Sequence, residues 1–196
     1  MALKPHSYGS LGHYRFSIKV ALANAQAANS RLFEIRNTDA ANLIIPTRLE
    51  VRWTQIAAHT VAILDALDLF KVTGFTAVDT TNTVTPAMSK KRTSMGNTTA
   101  AIRHVTVAGA AAGMTGGTLT KDANALGMME QWLLLALPTA GTVVPIAREF
   151  LDDVNGTHPL VFAQNEGMIL ENRILLGAAA GSSVTIDFSY LEATKF

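Results

Sequence analysis

Cysteine is absent from the 196 residues, which excludes disulfides, thiolate nucleophiles and cysteine-based zinc sites. That absence removes a chemistry and leaves the compartment open. Charge is also scarce. Asp, Glu, Lys and Arg make up 16% of the chain, against roughly a quarter in an ordinary domain, so the folded surface has to be built from Thr, Ser, Asn and Gly, which suits burial against neighbours. Neither sign dominates, since 16 basic residues stand against 15 acidic ones for a formal net charge of +1. The densest basic run, Lys90-Lys91-Arg92, is shorter than the roughly five to eight residues of a nucleic-acid patch, and no direct nucleic-acid partner is expected. Long apolar runs are missing too. Trp132 to Leu137 falls far short of the roughly 18 residues of a membrane-spanning helix, so no membrane partner is expected. Residues Met1 to Tyr14, with Pro5, His6, Gly9 and Gly12, hold no apolar stretch of signal-peptide length, and no secretory leader is expected.

Motifs that would carry catalysis are equally thin. His6, His13, His59, His104 and His158 fall in different segments, with no i, i+4 pair and no HExxH spacing, so no metal site is expected. His158 lies near Asp152 and Asp153, but an Asp, Asn, Gly and Pro sequence is what a tight turn needs, and the turn reading is preferred to acid–base chemistry. Ser94 sits in Thr93-Ser94-Met95-Gly96, outside the G-x-S-x-G spacing of a nucleophile elbow. Gly113-Met114-Thr115-Gly116-Gly117 misses both phosphate-loop and dinucleotide spacings. The triplets Asn97-Thr98-Thr99 and Asn155-Gly156-Thr157 match a glycosylation sequon but are discounted without a leader. Gln164-Asn165-Glu166-Gly167 gathers polar side chains that can bond backbone groups beside a permissive glycine, which reads as structural pinning. The expected set of catalytic, cofactor-binding and metal-binding residues is therefore empty, and no cofactor and no enzymatic activity are expected.

What the chain does have is alternation. Tyr14, Phe16, Ile18 and Val20 share one face of a strand. Leu32, Phe33 and Ile35 suggest a second. Ile45, Thr47, Leu49, Val51 and Trp53 alternate with Arg48, Glu50, Arg52 and Thr54 in a third, whose opposite charges stand two residues apart and can pair along or across the sheet. Between them, Ala21 to Asn29 lacks the large apolar side chains of a core helix and reads as a loop or bulge. His59 to Phe70 fits both periods and is assigned to a strand. Residues 73–99, rich in Thr, Ser, Asn and Gly with Pro86 inside, exceed ordinary loop lengths and read as a long Thr-rich excursion that contacts a partner. Ala101 to Val107 reads as a strand, Gly109 to Gly117 as turns, and Trp132 to Leu137 as a buried strand. His158 to Ala163 and Met168 to Leu170, bent at Gly167, suggest a hairpin. Val184, Ile186, Phe188 and Tyr190 alternate in a closing strand.

About eight strands without βα alternation predict a mostly β chain, an antiparallel β-sandwich with jelly-roll topology. The expected organisation is an extended N-terminal arm over residues 1–13 and a single β-sandwich domain over residues 14–196. Trp53, Trp132 and Tyr190 could stack on sugars if exposed, as in a carbohydrate-binding sandwich, but their strand positions predict burial.

Two stretches, Arg92-Thr93-Ser94-Met95-Gly96 and His158-Pro159-Leu160-Val161-Phe162-Ala163-Gln164-Asn165-Glu166-Gly167, together with the terminal β segment, resemble small virion structural proteins of tailed bacteriophages. The resemblance implies a protein that is made in the host cytoplasm and assembles on the particle. A capsid decoration or cement protein is the first expectation, with a tail or neck component, such as an adaptor ring or fibre-associated module, as the alternative. The implied partners are further copies of the chain in a homo-oligomer and other virion proteins, the major capsid protein first. On this reading residues 1–13 or 73–99 would lie across capsid subunit boundaries, where added buried area stabilises the shell.

Overall fold

A computed structural model describes residues 12–22, 26–55, 57–58, 63–80, 83–90, 96–105, 113–114, 117–133, 144–152, 159–176 and 182–194. Among these the chain forms β1 (Gly12–Ala21), β2 (Ser30–Asn37), β3 (Asn42–Gln55), β4 (Ile63–Ala77), β5 (Thr83–Val84), β6 (Ser89–Lys90), β7 (Ala100–Val105), β8 (Thr118–Lys121), β9 (Gly127–Leu133), β10 (Val144–Asp152), β11 (Gly167–Asn172) and β12 (Ser182–Thr194), with no helix. The strands build two antiparallel sheets packed as a β-sandwich. One has the order β10-β3-β12-β1-β6. The other has the order β5-β7-β2-β11-β4-β8, with β9 also paired to β4.

The pairings are nested. β1 pairs with β12, β2 with β11, β3 with β10 and β4 with β9. The chain is thus one long antiparallel ribbon, open at β1 and β12 and closed toward β4 and β9, that changes sheet at each step. Beyond it, β5, β6 and β7 close one side of the sandwich, because β6 extends the first sheet past β1 while β5 and β7 extend the second past β2. The opposite side is formed by β9 and β10.

Alternation explains the core. Tyr14, Phe16 and Val20 of β1 lie directly across from Tyr190, Phe188 and Val184 of β12, and all six are buried. Cross-strand apolar pairs of this kind are the unit of sheet stabilisation. Phe188 stands in the middle, with ring centroids 5.6 Å from Phe16, 5.5 Å from Tyr190 and 5.8 Å from Phe33 of the facing sheet. Phe33, Ile35, Leu67, Leu69, Met168 and Leu170 complete the core from the second sheet. β11 is buried along its whole length, because Ile169, on the opposite face from Met168 and Leu170, joins Val72 and Phe75 in a small second cluster outside that sheet.

Several expectations are corrected. β3 alternates as expected from Leu49 to Trp53, but a bulge where Ser189 and Tyr190 meet Arg48 and Pro46 adds a residue. The phase therefore slips, and Ile44 and Pro46 are buried in place of Ile45 and Thr47. Residues 73–99 are not one excursion. Thr73–Ala77 belong to β4, and in the remainder β5 and β6 pair with β7 and β1, while residues 81–82 and 91–95 lie outside the described residues. Its last stretch is tied down as well. Glu192 Oε1 accepts hydrogen bonds from Thr98 Oγ1 at 2.5 Å and Thr99 N–H at 2.8 Å, and the Tyr14 hydroxyl donates to the Gly96 carbonyl at 3.1 Å. Of the expected arm, residues 1–11 lie outside the described residues, while Gly12 and His13 are already paired in β1.

The hairpin bent at Gly167 does not form. Gly167 opens β11, whose neighbours are β2 and β4, and Phe162 instead bridges to Ile44. Gln164 to Gly167 do pin the backbone. Asn165 adopts φ 65°, its N–H and that of Asn37 complete a reciprocal pair with the Asn37 and Glu166 carbonyls, and its side chain accepts from Arg36 Nη2 at 2.6 Å. Strands β8 and β10 have no counterpart in the expected set. Gly113 is a turn glycine in the strict sense. It has φ +66°, and a Cβ there would lie 2.5 Å from Ser30 Cβ and 2.8 Å from the Arg31 carbonyl.

Candidate interaction surface

The outer face of the first sheet is polar, and its β10–β3–β12 part is internally paired. Arg48 bonds Glu149 at 2.8 Å and also Glu50, while Arg52 bonds Glu50 at 2.8 Å and Asp187 at 2.5 Å. The alternating charges of β3 are thereby consumed within the chain, across β10, β3 and β12. These neighbours raise the pKa of both guanidinium groups, through the Glu149 hydrogen bond for Arg48 and the Glu50 hydrogen bond for Arg52. Exposed ion pairs contribute little stability individually, about 0–1 kcal/mol. Their effect here is to leave no unsatisfied charge facing a partner along this ladder.

The outer face of the second sheet is different at its β4–β9 end. Trp132 lies directly across from Leu64, and Trp132 is 60% exposed. Met128, Leu126 and Leu175 are exposed as well. Leu175 reaches the same place because residues 173–174 are bonded onto β4, through Arg173 N–H to the Ala66 carbonyl at 2.8 Å and Ile174 N–H to Asp65 Oδ1 at 3.3 Å. Arg173 organises the middle of this patch. Its guanidinium grips Asp68 side-on, Nε to Oδ2 at 2.9 Å and Nη2 to Oδ1 at 2.6 Å, and reaches Glu130 Oε1 at 3.3 Å and the Met128 thioether at 3.3 Å. Such a side-on pair fixes the long side chain in one geometry. At the adjacent edge Arg148 of β10 donates to the Met128 carbonyl, tying the two sheets together beside β9. Exposed Trp, Met and Arg are residue types enriched at interaction surfaces, and here the apolar side chains flank a charged centre made by Arg173, Asp68 and Glu130.

Two buried carboxyl groups titrate in the second sheet, Glu34 away from this patch and Asp65 beneath it. Glu34 of β2 accepts from Arg31 Nη1 at 2.9 Å and from the Asp79 N–H at 2.7 Å. Burial nevertheless outweighs these favourable contacts and pushes its pKa up to about 7. Asp65 of β4 accepts from the Ala66 and Ile174 N–H groups through Oδ1, its Oδ2 has no hydrogen-bond partner among the described residues, and burial pushes it up to about 6. Both shifts are upward from ordinary values of 4.5 and 3.8. Folding therefore favours the protonated forms, and the contribution is fully present below the unfolded values and is lost as pH rises through about 6 and about 7. At roughly 1.4 kcal/mol per unit, each group makes the fold less stable at pH 8 than at pH 4 by an amount on the order of 3 kcal/mol. Urea unfolding from pH 4 to 8 checks this. The expected result is that Glu34→Gln flattens the pH slope of stability relative to wild type, and an unchanged slope would show that Glu34 titrates like an exposed carboxyl.

The residues singled out in the sequence do not converge. His13 sits in β1 and His104 in β7, where burial lowers the His104 pKa. His6, His59, His158, Asp153 and Ser94 lie outside the described residues. Among the described residues no group of three or more His, Asp or Glu could hold a metal, and no helix is long and apolar enough to cross a membrane. Trp53 and Tyr190 are fully buried and cannot stack on a sugar. Trp132, expected in the core, is the exposed one, and its position at the β9 edge could be read only from sheet order. Family models, curated proteins and solved structures provide no match to this chain.

Proposed function

We propose that this chain is a non-enzymatic structural protein of a tailed-bacteriophage virion, a capsid decoration or cement protein that works by packing against further virion subunits. The observation that carries the reading is the patch around Trp132, Leu64, Met128 and Leu175, an apolar face organised by the Arg173–Asp68 pair on a sandwich whose opposite side is strapped shut. A face of this kind is costly to leave in water at about 25 cal/mol per Å², and cover by another protein removes that cost. The nested ribbon adds support, because two antiparallel sheets ordered β1-β12-β3-β10 and β2-β11-β4-β9 are in keeping with the jelly-roll reading, an architecture that viral capsid domains share with lectins and cupins. Fold alone does not assign a function. The resemblance of Arg92 to Gly96, of His158 to Gly167 and of the terminal β segment to virion proteins is the further support, and in this chain Phe162 and Asn165 bond to the backbone of β2, β3 and β4.

The test is the copy number of the chain in purified particles from the host that produces it, measured by quantitative mass spectrometry against the major capsid protein. A ratio near that of the capsid protein is the expected result. A few copies per particle would move the chain to the tail or neck, and absence from particles would overturn the virion reading altogether.

A further inference from the structure

We infer that the Trp132 patch is a self-association face, covered by a second copy of this chain about a two-fold axis that crosses β9 near Glu130. The inference rests on the patch that also supports the reading above and does not depend on the virion. Three observations favour a second copy over an unlike partner. The first is charge. The patch and its edge hold two cations, Arg173 and Arg148, and two anions, Asp68 and Glu130, so it is balanced and complementary to itself. A chain of formal net charge +1 also has almost no long-range repulsion to overcome when copies meet.

The second is geometry. β9 projects Met128, Glu130 and Trp132 to one side, with Glu130 midway between the two large apolar residues. A two-fold axis at Glu130 lays Trp132 of each copy over Met128 of the other, an indole against a thioether. It also brings the two Glu130 carboxylates together at the axis, each carrying its own chain's Arg173 guanidinium at 3.3 Å. The contact is isologous, so it closes after two copies and does not propagate into a filament.

The third is extent. β9 is seven residues long, or about 20 Å, and β9, β4 and residues 173–175 lie side by side at roughly 4.8 Å spacing. The patch with a rim one residue wide approaches the ~800 Å² per partner of a standard interface. The other flank is already taken by the chain itself, where β5 and β6 cover the edges of β7 and β1.

Sedimentation velocity on the full chain, over a dilution series in the micromolar range, tests the inference. Wild type is expected to sediment as a dimer that dissociates on dilution, and Trp132→Glu is expected to raise the dissociation constant at least about 30-fold, the effect of a hot-spot residue. Met128→Glu gives an independent readout at the other end of the contact. Val84→Glu, at an exposed position of β5 on the strapped side, is expected to leave the dimer intact. All three positions are exposed, so circular dichroism of each variant should match wild type. A wild-type monomer throughout the series, including one that captures another protein through Trp132, would overturn the inference, and so would a dimer indifferent to both Trp132→Glu and Met128→Glu. A particle-borne chain that is monomeric in solution defeats the dimer alone, and a dimeric chain missing from particles defeats the virion reading alone.

Discussion

Gly167→Ala is expected to destabilise the fold by about 3 kcal/mol or more, at the upper end of overpacking effects, and to lower the melting temperature by roughly 6–12 °C. A Cβ at this position would lie 1.9 Å from the Ile35 carbonyl oxygen, 2.9 Å from its carbon and 3.2 Å from Arg36 Cα. All three atoms are backbone of β2, a strand held between β7 and β11, so no side chain can swing aside to relieve the contact. Gly167 is paired on both sides, with Arg36 and with Val72, and any shift of β11 disturbs two ladders. The control is Gly96→Ala, where a Cβ meets nothing within 4 Å and the change should stay within about 0.5 kcal/mol. Thermal melts of both variants decide it. Equal melting temperatures would mean that β11 and β2 do not approach as closely as described.

Phe188→Ala is the second large effect, expected at about 3–5 kcal/mol from lost burial and the cavity left behind. Phe188 is fully buried and touches rings from both sheets, Phe16 and Tyr190 on its own and Phe33 opposite. Because the cavity would open between two rigid ladders, collapse can recover little of the loss. Urea unfolding at pH 7 reads the change directly as a lower midpoint with an unchanged slope. A cost below about 1 kcal/mol would place the packing centre of the sandwich elsewhere. Both variants act on the scaffold, whereas substitutions at Trp132 should leave the folded monomer intact and act on association.

The contrast between Phe188 and Trp132 also shows where sequence reasoning held and where it ran out. β1 and β12 were legible because apolar and polar side chains alternate in Tyr14 to Val20 and Val184 to Tyr190, although only β1 turns its polar face to solvent while β12 is buried on both faces. β3 was legible up to its bulge. The extra residue near Thr47 leaves no mark in hydropathy, and the phase before it inverts. β10 went unread because Pro145, Arg148 and Glu149 interrupt any apolar rhythm, and those are the residues an edge strand uses to discourage further pairing. The exposure of Trp132 was hidden for a related reason. Indole side chains are buried by default, and only the phase of β9 in its pairing with β4, some sixty residues earlier in the chain, puts this one on the outer face while Met129 faces the core. The ion ladder of Arg48, Glu50 and Arg52 was visible as a pattern, but its partners Glu149 and Asp187 come from distant strands. Buried Glu34 and Asp65 carried no signal at all, since their neighbours in sequence do not distinguish a buried carboxyl from a solvated one.

Of the two titrating carboxyl groups only Glu34 is remote from the interaction patch, since Asp65 lies on β4 beneath it and holds Ile174. Glu34 lies on β2 beside Asp79 and across from Arg103 of β7, while the patch lies at the far end of the sheet on β4 and β9. Association is therefore best measured at a fixed pH, at which the protonation of Asp65 beneath the patch is constant, and Glu34→Gln alters stability at a site remote from the patch.

The central claim is that an exposed apolar face around Trp132 exists to be covered by protein. Oxidative footprinting of Trp132 tests it most directly, comparing intact particles with the isolated chain diluted to monomer. The account predicts strong protection of Trp132 in particles, with the exposed Val84 side of the sandwich less changed. Equal oxidation of Trp132 in both states would contradict it, because a face that stays in water within the assembled particle is not what holds the protein there.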